Sequence, residues 1–319
     1  MRMARYDRYG PPEVLYEGTG PMPVAKPGEV LVRVHGSSVN GGELALRSGK
    51  ARLLAGRRFP KRMGVDFAGE VAALDSRAAG LSGLSVGDRV WGLPGRTALG
   101  SAAEYVTVAP ERLALAPAGL DPVRAAALPG VGTTAITALR DKARLRPGER
   151  LLVRGASGGV GTVAVQLGRA YGARVTALAG AKNLDFVREL GAHDAFDYAT
   201  TGPAVLGSFD VVLDTVGTGT GAYRRLLAPG GRMVSISFDA DHPLASLSYI
   251  LATTVFGSRR VRFFSGNPRH ELFAELTRQV ESGAVRPVVD TVFPLADIAG
   301  AHRALEAGGV RGKHVVQVI

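Results

Sequence analysis

A run of small residues, GASGGVG at 155–161, is the segment of this chain whose residue types and spacing are best suited to chemistry. It follows a short apolar segment, Leu151 to Arg154, and precedes an amphipathic one, Val160 to Tyr171, which predicts a tight bend between a strand and a helix. Small side chains let the backbone approach a diphosphate, and the unpaired N–H groups at a helix start attract anions. The run favours a dinucleotide site; a tight turn without a ligand is the alternative.

The glycine register of dinucleotide-binding loops, G-x-G-x-x-G, is met here with one replacement. Ala156, Gly158 and Gly161 take the three positions, so that alanine stands for the first glycine. Gly161 would let the helix pack close to the sheet. The residues that we expect around the diphosphate are Ala156, Ser157, Gly158, Gly159, Val160 and Gly161.

The end of the second predicted strand bears on the choice between NAD and NADP. An NAD site usually places Asp or Glu there to hold the ribose 2′-hydroxyl. Residues 177–183 read ALAGAKN, which contains no acid, and Lys182 is suited to face a 2′-phosphate. Gly180 is also expected among the cofactor-binding residues. A surface lysine at a helix start is the alternative, although a positive charge is slightly unfavourable there. The sequence therefore predicts NADPH as the cofactor.

Metal and thiol chemistry find little support in the composition. The chain contains no cysteine, which excludes disulfides, thiolate catalysis and Cys-ligated zinc. Its six histidines show no His-x-x-x-His spacing, and we interpret each as a surface or capping residue. The sequence predicts a site without a metal.

The chain divides into three stretches that differ in their residue patterns. Residues 1–122 contain short β-branched runs separated by Pro and Gly, residues 123–264 alternate between strand and helix patterns, and residues 265–319 are mixed. The alternation predicts an α/β domain, a doubly wound parallel sheet with helices on both faces, inserted between two halves of a β-rich domain. Predicted strands are 29–35, 70–74, 103–108, 151–154, 174–178, 194–196, 210–214, 232–236, 260–264 and 314–319, and predicted helices are 160–171, 183–190, 270–282 and 296–307.

Charge and hydrophobicity exclude some classes of function. The net charge is +11, but the basic residues are scattered and no aromatic residues interleave them, so we expect no nucleic-acid partner. No apolar run reaches the length of about 18 residues that spans a bilayer. The longest, 244–256, reads as a buried helix or dimer contact, or as a lid over an apolar substrate. The N-terminus lacks the apolar region of a secretory signal, and we expect a cytoplasmic protein.

Segments along the whole chain carry a family resemblance. They are DRYGPPEVL at 7–15, PGEVLVRV at 27–34, SSVN at 37–40, PKRMGVDFAGEV at 60–71, GDRVWG at 87–92, AAEYVTV at 102–108, AAALPGVGTTAITAL at 125–139, LGAHDAFDY at 190–198, FDVVLDTVG at 209–217, GGRMVSIS at 230–237 and RGKHVVQVI at 311–319. Together with the loop at 155–161 they resemble the zinc-free, zeta-crystallin-like quinone oxidoreductase branch of the medium-chain dehydrogenase/reductases. AKNLDFVRELGA at 181–192 is also similar to the reticulon-interacting subgroup.

This resemblance implies a Rossmann NADP-binding domain inserted in a GroES-like catalytic domain, with NADPH in the cleft between them. It implies that Lys182 and Tyr198 flank the 2′-phosphate and that Asn40 lies at the substrate end. Nearer the nicotinamide it places Thr134, Val216, Gly217, Ser237, Phe264 and Ser265. A homodimer is expected.

Two departures from related patterns concern the segment around Asn40. In the zinc-containing alcohol dehydrogenase branch, a cysteine corresponds to Asn40 and a Gly-His-Glu segment corresponds to residues 64–66, which read Gly-Val-Asp here. Members of the zinc-free branch usually continue from the asparagine with proline, whereas this chain continues with Gly41 and Gly42. We expect the two glycines to loosen that loop and to remove side chains from the site.

Without a metal to polarise a ketone, the expected hydride acceptors are quinones and α,β-unsaturated carbonyl compounds, which are already electrophilic. Asn40, Thr134 or water would supply hydrogen bonds to the substrate oxygen. The main alternative is a protein that binds NADPH without turnover, which the two glycines would suit. A zinc-free alcohol dehydrogenase and an RNA-binding protein are further alternatives.

Overall fold

The computed structural model describes residues 1–52, 56, 58–95, 99–237, 248–249, 252–253 and 261–319. The chain divides into two compact units. The first comprises Met1–Thr133, Asn267–Gly283 and Pro287–Ile319, and the second comprises Thr134–Gly266 and Ala284–Arg286. The first boundary follows residue 133, whereas the sequence predicts it at 122. The difference arises because the short helix Pro122–Ala125 packs on the first unit. In that contact, Val123 Cα lies 3.2 Å from the position that a Cβ on Gly36 would occupy.

The strands, in chain order, are β1 (Arg2–Tyr6), β2 (Tyr16–Thr19), β3 (Val30–Ser38), β4 (Lys61–Arg62), β5 (Phe67–Leu74), β6 (Arg89–Gly92), β7 (Tyr105–Val108), β8 (Leu113–Leu115), β9 (Arg150–Arg154), β10 (Arg174–Ala179), β11 (Asp194–Asp197), β12 (Phe209–Asp214), β13 (Leu227–Ser235), β14 (Val261–Phe263), β15 (Val289–Pro294) and β16 (Lys313–Gln317). The helices are α1 (Gly41–Ser48), α2 (Ser76–Ser82), α3 (Pro122–Ala125), α4 (Pro129–Ile136), α5 (Gly159–Ala170), α6 (Leu184–Glu189), α7 (Thr220–Arg224), α8 (His270–Glu281) and α9 (Ile298–Ala307). A π-helical segment, Thr137–Ala143, continues α4.

The first unit is built on two sheets. One has the order β2-β1-β4, and the other has the order β15-β16-β3-β5-β6-β8, with β7 also paired to β3. Its core is made of valines and larger apolar side chains from these strands, such as Val32, Phe67 and Val316. The last strand, β16, runs antiparallel to β3, and this pairing places the C-terminal segment beside the end of β3, just before Asn40.

The second unit is the predicted doubly wound sheet. All neighbouring strands are parallel, in the order β11-β10-β9-β12-β13-β14. The strand order reverses at β9, because the chain moves outward from β9 through β10 to β11 and then returns to the other side for β12. In sheets of this kind, ligands bind at the carboxyl ends of the strands beside that reversal. The loop at 155–161 follows β9 directly and therefore lies there.

The segment after Asn40 differs from the expectation of a loosened loop. Gly41 and Gly42 form the first turn of α1, which ends at the left-handed residue Gly49. The helix forms despite two glycines because Glu43 bonds back to its start and Arg47 is buried against Glu306 of α9. The two glycines leave open space beside the backbone, since a Cβ on either would have no neighbour within 4 Å.

Two further sequence expectations concern membranes and the apolar stretch at 244–256. Within the described residues, no helix has both the length and the apolar character that crossing a membrane requires. The stretch 244–256 lies outside the described residues except at 248, 249, 252 and 253, so its interpretation as a lid, a dimer contact or a buried helix stays a prediction.

Gly161 is the point where α5 packs directly on the end of β9. A Cβ on Gly161 would lie 2.1 Å from the Gly155 carbonyl oxygen and 2.7 Å from Ala156 Cα, so backbone atoms occupy the space of any side chain. We predict that Gly161→Ala destabilises the protein by roughly 1–3 kcal/mol, the range of overpacking. Chemical denaturation measures this loss. The control is Gly80→Ala in α2, where a Cβ would have no neighbour within 4 Å, and it should stabilise the protein by about 0.5–1 kcal/mol. Equal effects of the two substitutions would contradict the close packing.

Candidate functional site

The bend after β9 is made by Gly155, which has a φ of +71°. A Cβ there would lie 2.4 Å from Thr215 Oγ1, so both the backbone conformation and the space require glycine. The next residue, Ala156, is fully buried, and its N–H donates to the Leu178 carbonyl oxygen at 2.9 Å. The residue that makes the tight turn is therefore Gly155, one position before the alanine to which the glycine register assigns it.

Gly158 precedes α5 and has extended backbone, with φ −78° and ψ 176°. The nearest atom to a Cβ on Gly158 would be the Gly155 carbonyl oxygen, at 3.4 Å, which is an ordinary contact. The fold itself thus does not require glycine at this position. The first N–H groups of α5 have no acceptor within the helix, and they lie beside this open backbone. The bend therefore leaves a space where an anion can contact these N–H groups, and a side chain at 158 would occupy that space.

Residues after β10 and β11 lie together at the carboxyl edge of the sheet. Gly180 follows β10, and the ring of Tyr198, which follows β11, lies 3.6 Å from the place of a Cβ on Gly180. Tyr198 is 65% exposed, and its N–H donates to the Ala179 carbonyl oxygen at 3.1 Å. Lys182 is exposed in the short 3₁₀ helix Ala181–Asn183. The structure thus brings Gly180 and Tyr198 into contact and places Lys182 two residues further along.

The loop after β12 is held by a fully buried carboxylate. Asp214 Oδ1 accepts the backbone N–H groups of Val216 and Gly217 at 3.0 and 3.1 Å. The guanidinium of Arg154, at the end of β9, lies 2.8 Å from the same carboxylate oxygen. Val216 and Gly217 therefore lie beside the bend at 155–161. That they adjoin the nicotinamide stays a prediction from the resemblance.

The remaining predicted cofactor residues of this unit also follow strand ends. Ser237 comes two residues after β13, and its carbonyl oxygen accepts the Ser235 hydroxyl at 2.7 Å. Phe264 and Ser265 come directly after β14. Thr134 lies in α4, and its hydroxyl oxygen is 3.8 Å from the place of a Cβ on Gly266.

Asn40 lies in the first unit, and its side-chain amide forms three hydrogen bonds with protein groups. Its Nδ2 donates to the Ser38 carbonyl oxygen at 3.0 Å and to Glu43 Oε2 at 3.3 Å, while its Oδ1 accepts from Lys313 Nζ at 2.8 Å. Lys313 Nζ also donates to the Val39 carbonyl oxygen. Both amide hydrogens of Asn40 thus bond to protein groups, so the side chain is oriented and its donors are already engaged.

The network around Asn40 contains two buried acids and one buried amine. Glu43 Oε1 accepts the Gly64 N–H at 2.8 Å, and Asp66 Oδ1 accepts the Ser38 N–H at 2.9 Å. Burial raises the pKa of Glu43 to about 7 and also raises the pKa of Asp66, whereas burial lowers the pKa of Lys313. Each shift favours the uncharged form, so the charge of Glu43 changes near neutral pH.

A zinc ion does not fit this network. The resemblance matches zinc-ligand positions to Asn40 and Val65, whose side chains are not zinc-binding types. The side-chain nitrogen of Lys313 already lies 2.8 Å from the Asn40 oxygen. Within the described part of the chain, no group of three or more His, Asp or Glu side chains is arranged to hold a metal ion.

Several residues at the bend after β9 and in the network around Asn40 were not predicted from the sequence. Gly155 was recognisable as a glycine directly after a strand, the usual place for a left-handed turn. The buried charges Arg154, Asp214, Glu43, Asp66 and Lys313 stand within recognised segments, but nothing in their local spacing shows which of them meet in space.

Two family descriptions match the chain. Residues 26–118 match the alcohol dehydrogenase GroES-like domain, and residues 190–316 match the zinc-binding dehydrogenase family.

Relatives and solved structures match over nearly the whole chain. The human mitochondrial NAD(P)H oxidoreductase RTN4IP1 is 31% identical, over 98% of this chain and 88% of that protein. The chloroplast envelope quinone oxidoreductase homolog of Arabidopsis thaliana is also 31% identical, over 99% of this chain and 98% of that protein. The quinone oxidoreductase from Coxiella burnetii is 29% identical and superposes with a TM-score of 0.89, over 100% of this chain and 99% of that chain. The chain therefore belongs to the medium-chain dehydrogenase/reductase superfamily, among the relatives of the quinone oxidoreductases.

Proposed function

We propose that the chain is an NADPH-dependent oxidoreductase that reduces a quinone or an α,β-unsaturated carbonyl compound without a metal. The main support for this proposal is the open backbone at Gly158, beside the first N–H groups of α5. A side chain at 158 would meet only ordinary contacts within the fold, so the fold leaves this backbone open on the side of a ligand. A diphosphate lying on these N–H groups would occupy that space.

The choice of NADPH depends on the residues after β10 and β11. No acid ends β10 to bind a 2′-hydroxyl, and the strand is followed by Gly180 and Lys182 instead. The Tyr198 ring lies against Gly180 and is mostly exposed, so one of its faces is available for an adenine or a ribose phosphate. An ammonium group and a phenol are suitable partners for a phosphate. A mycobacterial protein that is 25% identical, with a TM-score of 0.82, has a solved structure in complex with NADPH.

When bound, NADPH supplies a hydride. The chain's own residues would bind and orient the reactants: the bend after β9 for the diphosphate, Lys182 and Tyr198 for the 2′-phosphate, and the loop at 215–217 and residues 264–265 for the nicotinamide end. Because the donors around Asn40 do not fit zinc, no Lewis acid polarises a simple ketone there. The acceptors that react readily without one are quinones and enones.

Asn40 and Thr134 have different roles in this proposal. Both hydrogens of the Asn40 amide bond to protein groups, so Asn40 orients the segment around it and water delivers the proton to the substrate oxygen. Thr134 has a hydroxyl group, which can donate a hydrogen bond to a substrate or cofactor oxygen. Location in the cytoplasm and assembly as a homodimer remain predictions from the sequence.

The alternative of an NADPH-binding protein without turnover depends on the glycine pair at 41–42. The structure places both glycines in a regular helix turn, and the Asn40 N–H donates to Glu43 Oε2 at 2.9 Å, so the segment is well ordered by its own bonds. The pair therefore gives that alternative no structural support.

The enzymatic claim predicts turnover on electrophilic acceptors. With NADPH in excess, a panel of benzoquinones, naphthoquinones and enones should give at least one acceptor that is reduced, followed as loss of absorbance of the reduced cofactor. A panel of simple ketones and aldehydes serves as the comparison, and because the donor set around Asn40 does not fit zinc, we expect no measurable reduction of these. Turnover of ketones but not of quinones or enones would contradict the proposal, as would no turnover on any acceptor.

The 2′-phosphate site predicts a selective loss of affinity. Lys182→Ala should weaken NADPH binding by about tenfold or more, the effect of losing one charge-assisted contact, and leave NADH binding unchanged. Fluorescence titration of the reduced cofactors measures both affinities. The matched control is Arg174→Ala. Arg174 is the first residue of β10, whereas Lys182 follows the last, and Arg174 pairs with Asp194 at 3.2 Å. This substitution should leave both affinities unchanged. A Lys182 variant that keeps its preference for NADPH would remove the proposed site.

A further inference from the structure

Arg154 is an unusual residue for its position. It ends β9, immediately before the bend, and it is only 5% exposed. A buried guanidinium is costly unless it is paired, so its contacts show what the fold gains from it.

Its contacts join three segments of the second unit. The Nη1 atom lies 2.8 Å from Asp214 Oδ1 at the end of β12. The guanidinium carbon lies 3.6 Å above the centre of the Tyr223 ring in α7, a close cation–π contact. Arg154 thereby links the start of the bend to the loop after β12 and to the helix that follows this loop.

A second connection runs through the main chain. The hydroxyl of Thr215 donates to the Arg154 carbonyl oxygen at 2.7 Å, and Asp214 Oδ1 holds the N–H groups of Val216 and Gly217. The same carboxylate oxygen therefore forms an ion pair with the guanidinium and accepts two N–H groups of the loop at 215–217. Removing the guanidinium leaves that carboxylate with its negative charge uncompensated in a buried place, and the loop depends on that carboxylate for its conformation.

We propose that Arg154 is a positioning residue for the dinucleotide, which sets the spacing between the bend at 155–161 and the loop at 215–217. The inference rests on the proposed function, because it requires that these two segments bind a cofactor. Arg154 itself is buried below the surface that they form, so it acts through Asp214 and does not select between NADPH and NADH. Its loss should weaken both cofactors by the same factor.

The chain offers a matched control in Arg232. This arginine of β13 binds Glu149 through two bonds of 2.7 Å, just before β9 begins, and is therefore at the amino ends of the strands. Both arginines are largely buried and both are paired with an acid in the same sheet. They differ in lying at opposite ends of it, and only Arg154 adjoins the proposed cofactor segments.

The experiment compares Arg154→Met, Arg154→Lys and Arg232→Met with the wild type. Cofactor affinity is measured by fluorescence titration with NADPH and with NADH at a temperature well below each variant's Tm. We expect both methionine variants to lower Tm. Of the two methionine variants, only Arg154→Met should raise Kd, by about tenfold and equally for the two cofactors. Arg154→Lys should raise Kd less, because it keeps a positive charge near Asp214. If Arg154 only stabilised the fold, Arg154→Met and Arg232→Met would both lower Tm and would not differ in their effect on Kd.

Several results would overturn the inference. One is an Arg154→Met protein that binds both cofactors as the wild type does, and another is an Arg232→Met protein that loses affinity to the same extent. If Arg154→Met does not fold, Tyr223→Leu and Arg154→Lys replace it. Both should weaken the two cofactors equally, and unchanged affinity in both variants overturns the inference. A wild type that binds neither cofactor overturns the proposed function together with it, which distinguishes that failure from the others.

Discussion

The contact between the carbonyl oxygen of Gly155 and the backbone of Gly161 determines the shape of the proposed cofactor site. A Cβ on residue 161 would lie 2.1 Å from this carbonyl oxygen. The helix α5 can therefore pack against the end of β9 only because residue 161 is glycine. This close packing brings the first N–H groups of the helix to the carboxyl end of β9, at the reversal in strand order. The bend, the loop at 215–217 and the residues after β10 and β11 then surround one edge of the sheet, where doubly wound folds bind their ligands.

A different constraint shapes the first unit. Its last strand pairs antiparallel with β3, and this pairing delivers the ammonium group of Lys313 to the side chain of Asn40. Glu43 and Asp66 lie in the same buried network, where their proximity opposes the lowering of the Lys313 pKa by burial. The resemblance matches zinc-ligand positions to Asn40 and Val65, and here the side-chain amine of Lys313 lies against Asn40 instead. This donor set offers hydrogen bonding and orientation and does not suit zinc.

The regular parts of both units could be predicted from the sequence because their signals are local. The alternation of apolar strands and amphipathic helices between 150 and 236 predicts the parallel sheet, and the parallel sheet predicts that loops after its strands share one edge. The small residues at 155–161 and the missing acid before Lys182 are likewise visible in a few consecutive letters. The family resemblance added residues such as Tyr198 and Phe264, whose roles no local pattern indicates.

The parts that could not be predicted depend on pairs of residues that are far apart in the chain. Arg154 and Asp214 are separated by 60 positions, and nothing near Arg154 indicates that an arginine at a strand end will be buried. Lys313 and Asn40 meet only because the two ends of the chain share a sheet. The glycines at 41 and 42 suggest a loose loop by their helix propensity, but the bonds of Glu43 and the burial of Arg47 outweigh it.

A diphosphate bound by the first N–H groups of α5 would lie against the open backbone at Gly158. Calorimetric titration of NADPH into the wild type and into Gly158→Val examines this contact, because valine suits the extended backbone and the nearest atom to its Cβ would be 3.4 Å away. The wild type should bind one NADPH per chain, whereas the variant should fold with nearly the wild-type Tm and give no heat of binding. If folded Gly158→Val instead binds NADPH as tightly as the wild type, the diphosphate does not lie against this backbone.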